Sequence, residues 1–179
     1  MKALIYTASL AACLALVGCG MNFVEGLPQG GAPTEGSSVV VYGLRVAGKQ
    51  PSFSMSLDAY NPANESADGN CFRWDRMRAS ILSGTTGTHY FSFLVRPGHY
   101  VYSPHQRPMK GPLLSFKAEP AATVFIGEFV LTPSNEVELF RDLAASKYQL
   151  LAALPKTDPN LALAQITPTN GVRLFLCGP

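Results

Sequence analysis

The histidines are the side chains of this sequence best suited to bind a transition metal, and there are three of them: His89, His99 and His105. A zinc site needs three or four ligands that converge on one ion. His89 and His99 flank the Pro97-Gly98 turn of a predicted hairpin, where strand alternation puts them on opposite faces. His105 lies in a Pro-rich loop. The spacing therefore predicts no metal site.

The cysteines suggest a second kind of chemistry. Cys71 and Cys177 lie in the body of the chain, and two more cysteines lie near its start. In an oxidising compartment, an even pair of this kind predicts a disulfide. Free buried thiols are one alternative. A metal site is the other, and it would require further ligands at close spacing.

A third pattern lies in the polar stretch 61–70. Asn64-x-Ser66-x-Asp68-Gly69, with Asp75 beyond it, is loosely similar to a calcium-binding loop. Such a loop normally ends in a bidentate Glu and is flanked by helices. Here Asp stands in the last place and the flanks are not helical. The composition therefore predicts a solvated loop.

Arg73, Arg76 and Arg78 form a basic cluster that includes Trp74. We take the three arginines as a candidate interaction patch for a lipid headgroup, a glycan or a protein partner. The alternative is a solvated sheet edge with Trp74 in the core, because Asp75 dilutes the positive charge.

The sequence shows no signature of an enzyme. It contains no G-x-S-x-G elbow, and the Gly-rich stretch at 83–87 lacks the Lys of a phosphate-binding loop. Glu136 and Glu138 lie near a predicted helix start, where acidic side chains act as caps. We therefore expect no catalytic residues, no cofactor and no enzymatic activity. An enzyme whose site is assembled from scattered residues is the alternative.

The first 18 residues have the features of a secretory signal peptide. Lys2 gives a positive start, and the apolar run 3–17 is shorter than the roughly 20 residues that a membrane span needs. The run ends in an LVGC motif whose cysteine is Cys19. This motif resembles the lipobox of bacterial lipoproteins. The resemblance implies cleavage before Cys19, diacylglycerol on its thiol and acylation of the new amine, so that two or more acyl chains hold the protein in the membrane.

Two alternatives compete with this assignment. Leu10-Ala11-Ala12-Cys13 fits the same pattern but leaves an apolar region of only 3–9, at the lower limit of about seven residues. An ordinary cleaved signal peptide is the other alternative. Gly20 follows the cysteine where lipoproteins retained in the inner membrane carry Asp. The resemblance therefore implies an outer-membrane anchor with the domain facing the periplasm.

Charge and length limit the roles open to the mature chain. The full chain has 14 Lys and Arg against 12 Asp and Glu, and loss of Lys2 leaves it close to neutral. It therefore lacks the charge of a nucleic-acid binder. Residues 19–38 begin with the Cys19 that the resemblance implies is lipidated, and their richness in Gly, Pro and Ser predicts a flexible tether. Residues 39–179 are long enough for one domain with its own core.

The domain reads as short strands separated by turns. In 52–60 the residues Phe53, Met55 and Leu57 alternate with polar residues, which predicts a half-buried strand. The other predicted strands are 39–46, 72–81, 113–116, 123–131 and 172–176.

The Pro97-Gly98 turn predicts a hairpin over 88–103. Its register places Phe93 opposite Tyr102, with both side chains facing the core. Ser92 and Ser103 are then expected on the outer face.

Between 135 and 154 the apolar residues recur at helical spacing instead. They are Phe140, Leu143, Ala144, Tyr148, Leu151 and Leu154. Either Asn135 or Asp142 supplies the N-cap, and Pro155 marks the end. The pattern leaves 136–141 open between helix and strand.

Many short strands with one late helix predict a mainly-β fold, an antiparallel β-sandwich with one peripheral C-terminal helix. The Phe93-x-Val95-x-Pro97-Gly98-x-Tyr100 motif, with the strand and helix after it, resembles small uncharacterised β-sandwich lipoproteins of bacterial envelopes. It is also similar to surface-layer modules with a PG-x-Y hairpin. The resemblance covers 91–154 and implies a fold without an activity.

Together these features predict a membrane-anchored envelope lipoprotein that is structural or binds a protein partner in the envelope. A lipoprotein that binds a glycan or lipid ligand is the alternative, followed by a hydrolase.

Overall fold

The computed structural model describes residues 24–48, 52–70, 73–82, 84–103 and 106–174. Within these ranges the chain forms thirteen strands and one helix. The strands are β1 Ser38–Val46, β2 Ser52–Asn61, β3 Ser66–Ala67, β4 Gly69–Asn70, β5 Arg73–Trp74, β6 Arg76–Leu82, β7 His89–Val95, β8 Gly98–Tyr102, β9 Leu113–Ala118, β10 Thr123–Leu131, β11 Val137–Phe140, β12 Ala162–Leu163 and β13 Ile166–Thr169. The helix is α1, Leu143–Ala153.

The strands form two sheets that pack against each other. Sheet 1 has the order β11-β10-β1-β7, with β12 also paired to β10. Sheet 2 has the order β13-β9-β8-β2-β3, with β6 paired to β2. The mainly-β sandwich with a helix near the C-terminus is confirmed. Sheet 1 is mixed, because β1 and β10 run parallel. The strands of sheet 2 fill most of the chain between them, so this pair is joined by a long crossover and not by a hairpin.

The main core lies between the sheets and is built from alternate residues of each strand. In β2 the expected inward face is confirmed: Phe53, Met55 and Leu57 are all at or below 1% exposure. The strand is not half-buried as expected, because Ser56 and Asp58 of its other face are buried as well. From sheet 1, Tyr42 of β1 stacks on Phe93 of β7 with ring centroids 5.5 Å apart. Burial of such large side chains is the main force that holds the sheets together.

The predicted hairpin over 88–103 is wrong in its pairing. β7 pairs with β1 in sheet 1, whereas β8 pairs with β2 and β9 in sheet 2. Pro97 and Gly98 therefore connect the two sheets. Phe93 and Tyr102 are both buried in the core, as expected, but they reach it from opposite sheets. Strand alternation fixes which side chains point inward, and it does not fix which strand lies alongside.

The outward positions of the same segment are buried as well. Ser92 and Ser103, expected on an exposed face, are only 3% and 2% exposed. Ser92 shares its face of β7 with Tyr90 and Leu94, which contribute to a second, smaller core. α1 covers that side of sheet 1 with Leu150, so β7 is buried on both faces.

The helix begins later than its apolar pattern suggests. Residues 137–140 form β11, and Asp142 is the N-cap, accepting a hydrogen bond from the Ala145 amide at 2.9 Å. Leu150 is completely buried, and Leu154 just beyond the helix is 2% exposed. Tyr148, expected on the apolar face, is 85% exposed. The apolar residues of this segment can be grouped into more than one helical face. Contact with sheet 1 determines which of these faces is buried.

Part of the predicted tether belongs to the fold. The Val24 amide donates to the carbonyl oxygen of Arg76 in β6 at 3.1 Å, and the Leu27 amide donates to Ser92 in β7 at 2.7 Å. Residues 24–27 therefore cross from sheet 2 to sheet 1. These bonds satisfy main-chain groups at the edges of β6 and β7. Composition alone does not show that strand edges need such partners, so the Gly and Pro content suggested a tether. Residues 19–23 lie outside the described residues.

The closing strand predicted at 172–176 is described only as far as 174. There Arg173 forms an isolated bridge with Ser66.

Candidate functional site

Several residues that the sequence analysis considered lie outside the described ranges. These are Cys13, Cys19, Cys71, Cys177 and His105, together with the side chain of Arg73. Lipidation at Cys19 and the Cys71–Cys177 disulfide therefore stay predictions.

Strand alternation in β6 places two predicted arginines on the outer face of sheet 2. Met77 and Ala79 point into the core, while Arg78 is exposed. Across the antiparallel pair, Arg76 lies opposite Asp58 and Arg78 lies opposite Ser56. The outer face of these two strands is therefore a strip of arginine, serine and one aspartate.

Arg76 is held in a buried ion pair. Its Nε lies 2.5 Å from Oδ1 of Asp58, and its Nη2 lies 3.1 Å from Oδ2. The Asp58 side chain is 0% exposed, and the guanidinium lies over the Trp74 ring at 3.8 Å. A planar guanidinium suits both the bidentate carboxylate and the aromatic face. The charge of Arg76 is thus neutralised. The sequence analysis missed this pair because the two residues are joined only across strands.

Arg78 and Arg107 carry the positive charge of the site. They border a groove of about 630 Å³. Arg107 donates to Asn135 Oδ1 at 2.7 Å and to the Ser52 carbonyl oxygen at 3.4 Å. Among the residues that the structure describes, neither arginine has a carboxylate within ion-pair distance. The other residues that line the groove are Ser54, Ser56, Arg76, Ser103, Gln106, Pro108 and Asn135. We call it the basic groove.

Gln106 fixes the loop that carries Arg107. Its Oε1 accepts from the Ser56 amide at 2.5 Å, and its Nε2 donates to the Ser56 carbonyl oxygen at 2.6 Å. β8 ends at Tyr102. Beyond that point the Gln106 side chain bonds to the main chain of β2 as a strand partner would. Tyr102 adds a bond from its hydroxyl to the Arg107 carbonyl oxygen at 2.9 Å. No local sequence signal connects Arg107 to the arginines of β6.

A second cavity of about 420 Å³ lies between β6 and β7. Its walls include Leu27 of the N-terminal segment, Ala79 of β6, and Phe91 and Phe93 of β7. We call it the apolar cleft. Arg78 borders both the apolar cleft and the basic groove. Charge and apolar surface therefore meet at this one side chain.

A carboxylate with three hydroxyl donors lies on the other side of the molecule. Glu128 accepts from Tyr90 at 2.6 Å, from Ser146 at 2.8 Å and from Thr88 at 3.0 Å. Burial raises the pKa of Tyr90, and the hydrogen bond to Glu128 raises it further. Because Ser146 is on α1 and the others are on or beside sheet 1, the cluster joins the helix to the sheet.

A β-bulge sets the position of Glu128. Val41 pairs with Phe125, but Gly43 pairs with Glu128, so β10 has one extra residue at this point. Gly127 occupies the bulge with a φ of 141°, and an added Cβ would lie 2.5 Å from the carbonyl oxygen of Phe140. The bulge turns Glu128 towards the helix side of sheet 1 instead of into the core.

The acidic loop resembling a calcium site is organised differently. Ser66 is part of β3, and Asp75 forms an ion pair with Arg96 at 2.5 Å. His89 lies in sheet 1 and His99 in sheet 2. Within the described ranges, no group of three or more His, Cys, Asp or Glu residues is arranged to hold a metal ion.

The basic groove and the apolar cleft lie side by side on the β-sandwich, and Arg78 borders both. Comparison of the chain with protein-family models, with curated proteins and with solved structures found no match. In the part of the chain that the structure describes, no helix is long and apolar enough to cross a membrane.

Proposed function

We propose that this protein is a lipid-anchored, non-catalytic module of the bacterial envelope that binds an anionic ligand in its basic groove. The observation that carries the proposal is the pair of arginines, Arg78 and Arg107, that border one groove without a carboxylate partner among the described residues. Two like charges on one surface repel each other, and an anion bound between them offsets that repulsion. A binding role is therefore better supported than a purely structural one.

The anchor in this proposal is the lipid on Cys19, in the outer membrane and facing the periplasm. It is supported by the LVGC motif behind an apolar run and by Gly20. A link of five residue steps joins Cys19 to Val24, where the chain meets β6. Such a link spans at most about 18 Å when fully extended. The domain would thus be held close to the membrane surface.

A non-catalytic role is supported by the bonding of the two carboxylates Glu128 and Asp58, which are both engaged in structural contacts. Catalysis needs a base or nucleophile that can act on a substrate. The carboxylate with most hydroxyls around it, Glu128, has both oxygens occupied by the bonds that join α1 to sheet 1. Asp58 is likewise fully engaged by Arg76.

Fatty-acid labelling in cells tests the anchor. The wild-type protein should incorporate the label and Cys19→Ser should not. Cys13→Ser is the matched control and should be labelled normally. Label that persists in Cys19→Ser and is lost in Cys13→Ser would move the anchor upstream and contradict the assignment.

Photo-crosslinking in cells tests the binding role. A photoreactive residue at position 108, which lines the groove without supplying its charge, should capture a ligand or partner, and capture should fall when Arg78 is changed to Gln. The same residue at position 147, on α1 at the other sheet, is the control and should capture little. Equal capture at both positions would contradict a specific role for the groove. If the ligand is the protein partner that the sequence analysis predicts, the captured species will be a polypeptide.

A further inference from the structure

We infer that the ligand of this site is an anionic phospholipid, with its phosphate in the basic groove and an acyl chain in the apolar cleft. The inference rests on the proposed function, because it names the ligand class of the same groove. Its starting observation is that Arg78 borders both cavities.

The basic groove supplies the donors that a phosphate needs. Arg78 and Arg107 supply both charge and guanidinium donors, and Ser54 and Ser56 also line the groove. Phosphate oxygens accept several hydrogen bonds at once, and bonds to guanidinium are among the strongest in proteins. Arg76 contributes little, because its charge is already matched by Asp58.

The apolar cleft offers a surface for the apolar part of a ligand, which inorganic phosphate lacks. Leu27, Phe91 and Phe93 give it a mainly apolar wall, and it opens beside Arg78. Transfer of each methylene group from water to such a surface contributes about 0.8 kcal/mol. An amphiphile satisfies both cavities together, whereas inorganic phosphate or a purely acidic peptide would leave the apolar cleft empty.

The position of the apolar cleft favours a lipid from the membrane over a soluble amphiphile. Residues 26–28 form part of its wall, and they follow Cys19 by only a few residues. The proposed anchor therefore keeps the mouth of the cleft near the bilayer. A ligand drawn from the bilayer needs no further carrier.

The test uses the full lipidated protein in phosphatidylcholine vesicles that contain a trace of lipid with a photoactivatable acyl chain. The probe is phosphatidylglycerol in one arm and phosphatidylcholine in the other. Phosphatidylglycerol should label the walls of the apolar cleft, at 26–28 and 91–93, in preference to phosphatidylcholine. Arg78→Gln should lower this labelling about tenfold, because a charged hydrogen bond is worth at least about a factor of ten. Lys147→Gln removes the same charge from α1 and should leave it unchanged.

A third arm separates this inference from the proposed function. Inorganic phosphate is added to the protein in pure phosphatidylcholine vesicles, and the fluorescence of Trp74, the sole tryptophan, is followed. A response to phosphate that needs Arg78, without labelling of the cleft by phosphatidylglycerol, would overturn the lipid inference and keep the anionic groove. No response and no labelling would overturn both. Equal labelling by the two lipids would also overturn the inference, since charge would then play no part.

Discussion

The buried ion pair between Asp58 and Arg76 allows a quantitative test of how sheet 2 is stabilised. Removal of one partner from a buried pair costs about 3–5 kcal/mol, because the other charge is left unpaired. The side chain of Asp58 is 0% exposed, but that of Arg76 keeps 15% exposure. Water can therefore enter where Arg76 is shortened, and we expect Arg76→Gln to cost about 3 kcal/mol, near the lower end of the range.

The double variant sharpens this prediction. Asp58→Asn alone should cost about 2 kcal/mol, since it weakens a charged hydrogen bond but leaves a polar group in place. With Arg76→Gln added, two neutral amides can bond to each other across the strands. The combined loss should thus fall at least about 1 kcal/mol short of the sum of the single losses.

Urea unfolding followed by far-ultraviolet circular dichroism is the assay. Tryptophan fluorescence is avoided because Trp74 lies against Arg76 and would respond to the substitution itself. Arg78→Gln is the matched control: it lies on the same strand face without an ion pair to a described residue, and should change stability by less than about 0.5 kcal/mol. If Arg76→Gln costs no more than Arg78→Gln, or if the two single losses simply add, the reasoning is refuted.

Three further predictions concern other parts of the fold. Gly127→Ala should destabilise the protein by more than about 2 kcal/mol in urea unfolding, because the backbone is strained at this φ and the added Cβ clashes with β11. Gly111→Ala is the control and should cost less, because Gly111 is also at positive φ but lies in open space. Phe93→Ala should lose about 3–5 kcal/mol in the same assay, since its side chain is 5% exposed, and a loss below about 1 kcal/mol would contradict its place in the core. Thiol counting on denatured, unreduced protein should find Cys71 and Cys177 blocked, a bridge worth about 4.7 kcal/mol for a loop of about a hundred residues; two free thiols there would rule it out.

Some features of this protein could be predicted because they depend on neighbours in sequence. Alternation of apolar and polar residues in 52–60 correctly placed Phe53, Met55 and Leu57 in the core. Asp142 was one of two N-caps that the sequence offered, and the structure uses it. The mainly-β class with one late helix follows from the same local periods.

The choice of neighbours in space required the tertiary structure. The 88–103 segment has inward-facing residues in either arrangement, so its sequence did not reveal that β7 and β8 lie in different sheets. The arginine cluster was visible, but the role of each member was not. Asp58 neutralises Arg76 from the neighbouring strand, and the Gln106 amide bonds to β2 and brings Arg107 beside Arg78. The pattern along a strand is set by its own two faces, whereas its partners are selected by burial and hydrogen bonding across the whole chain.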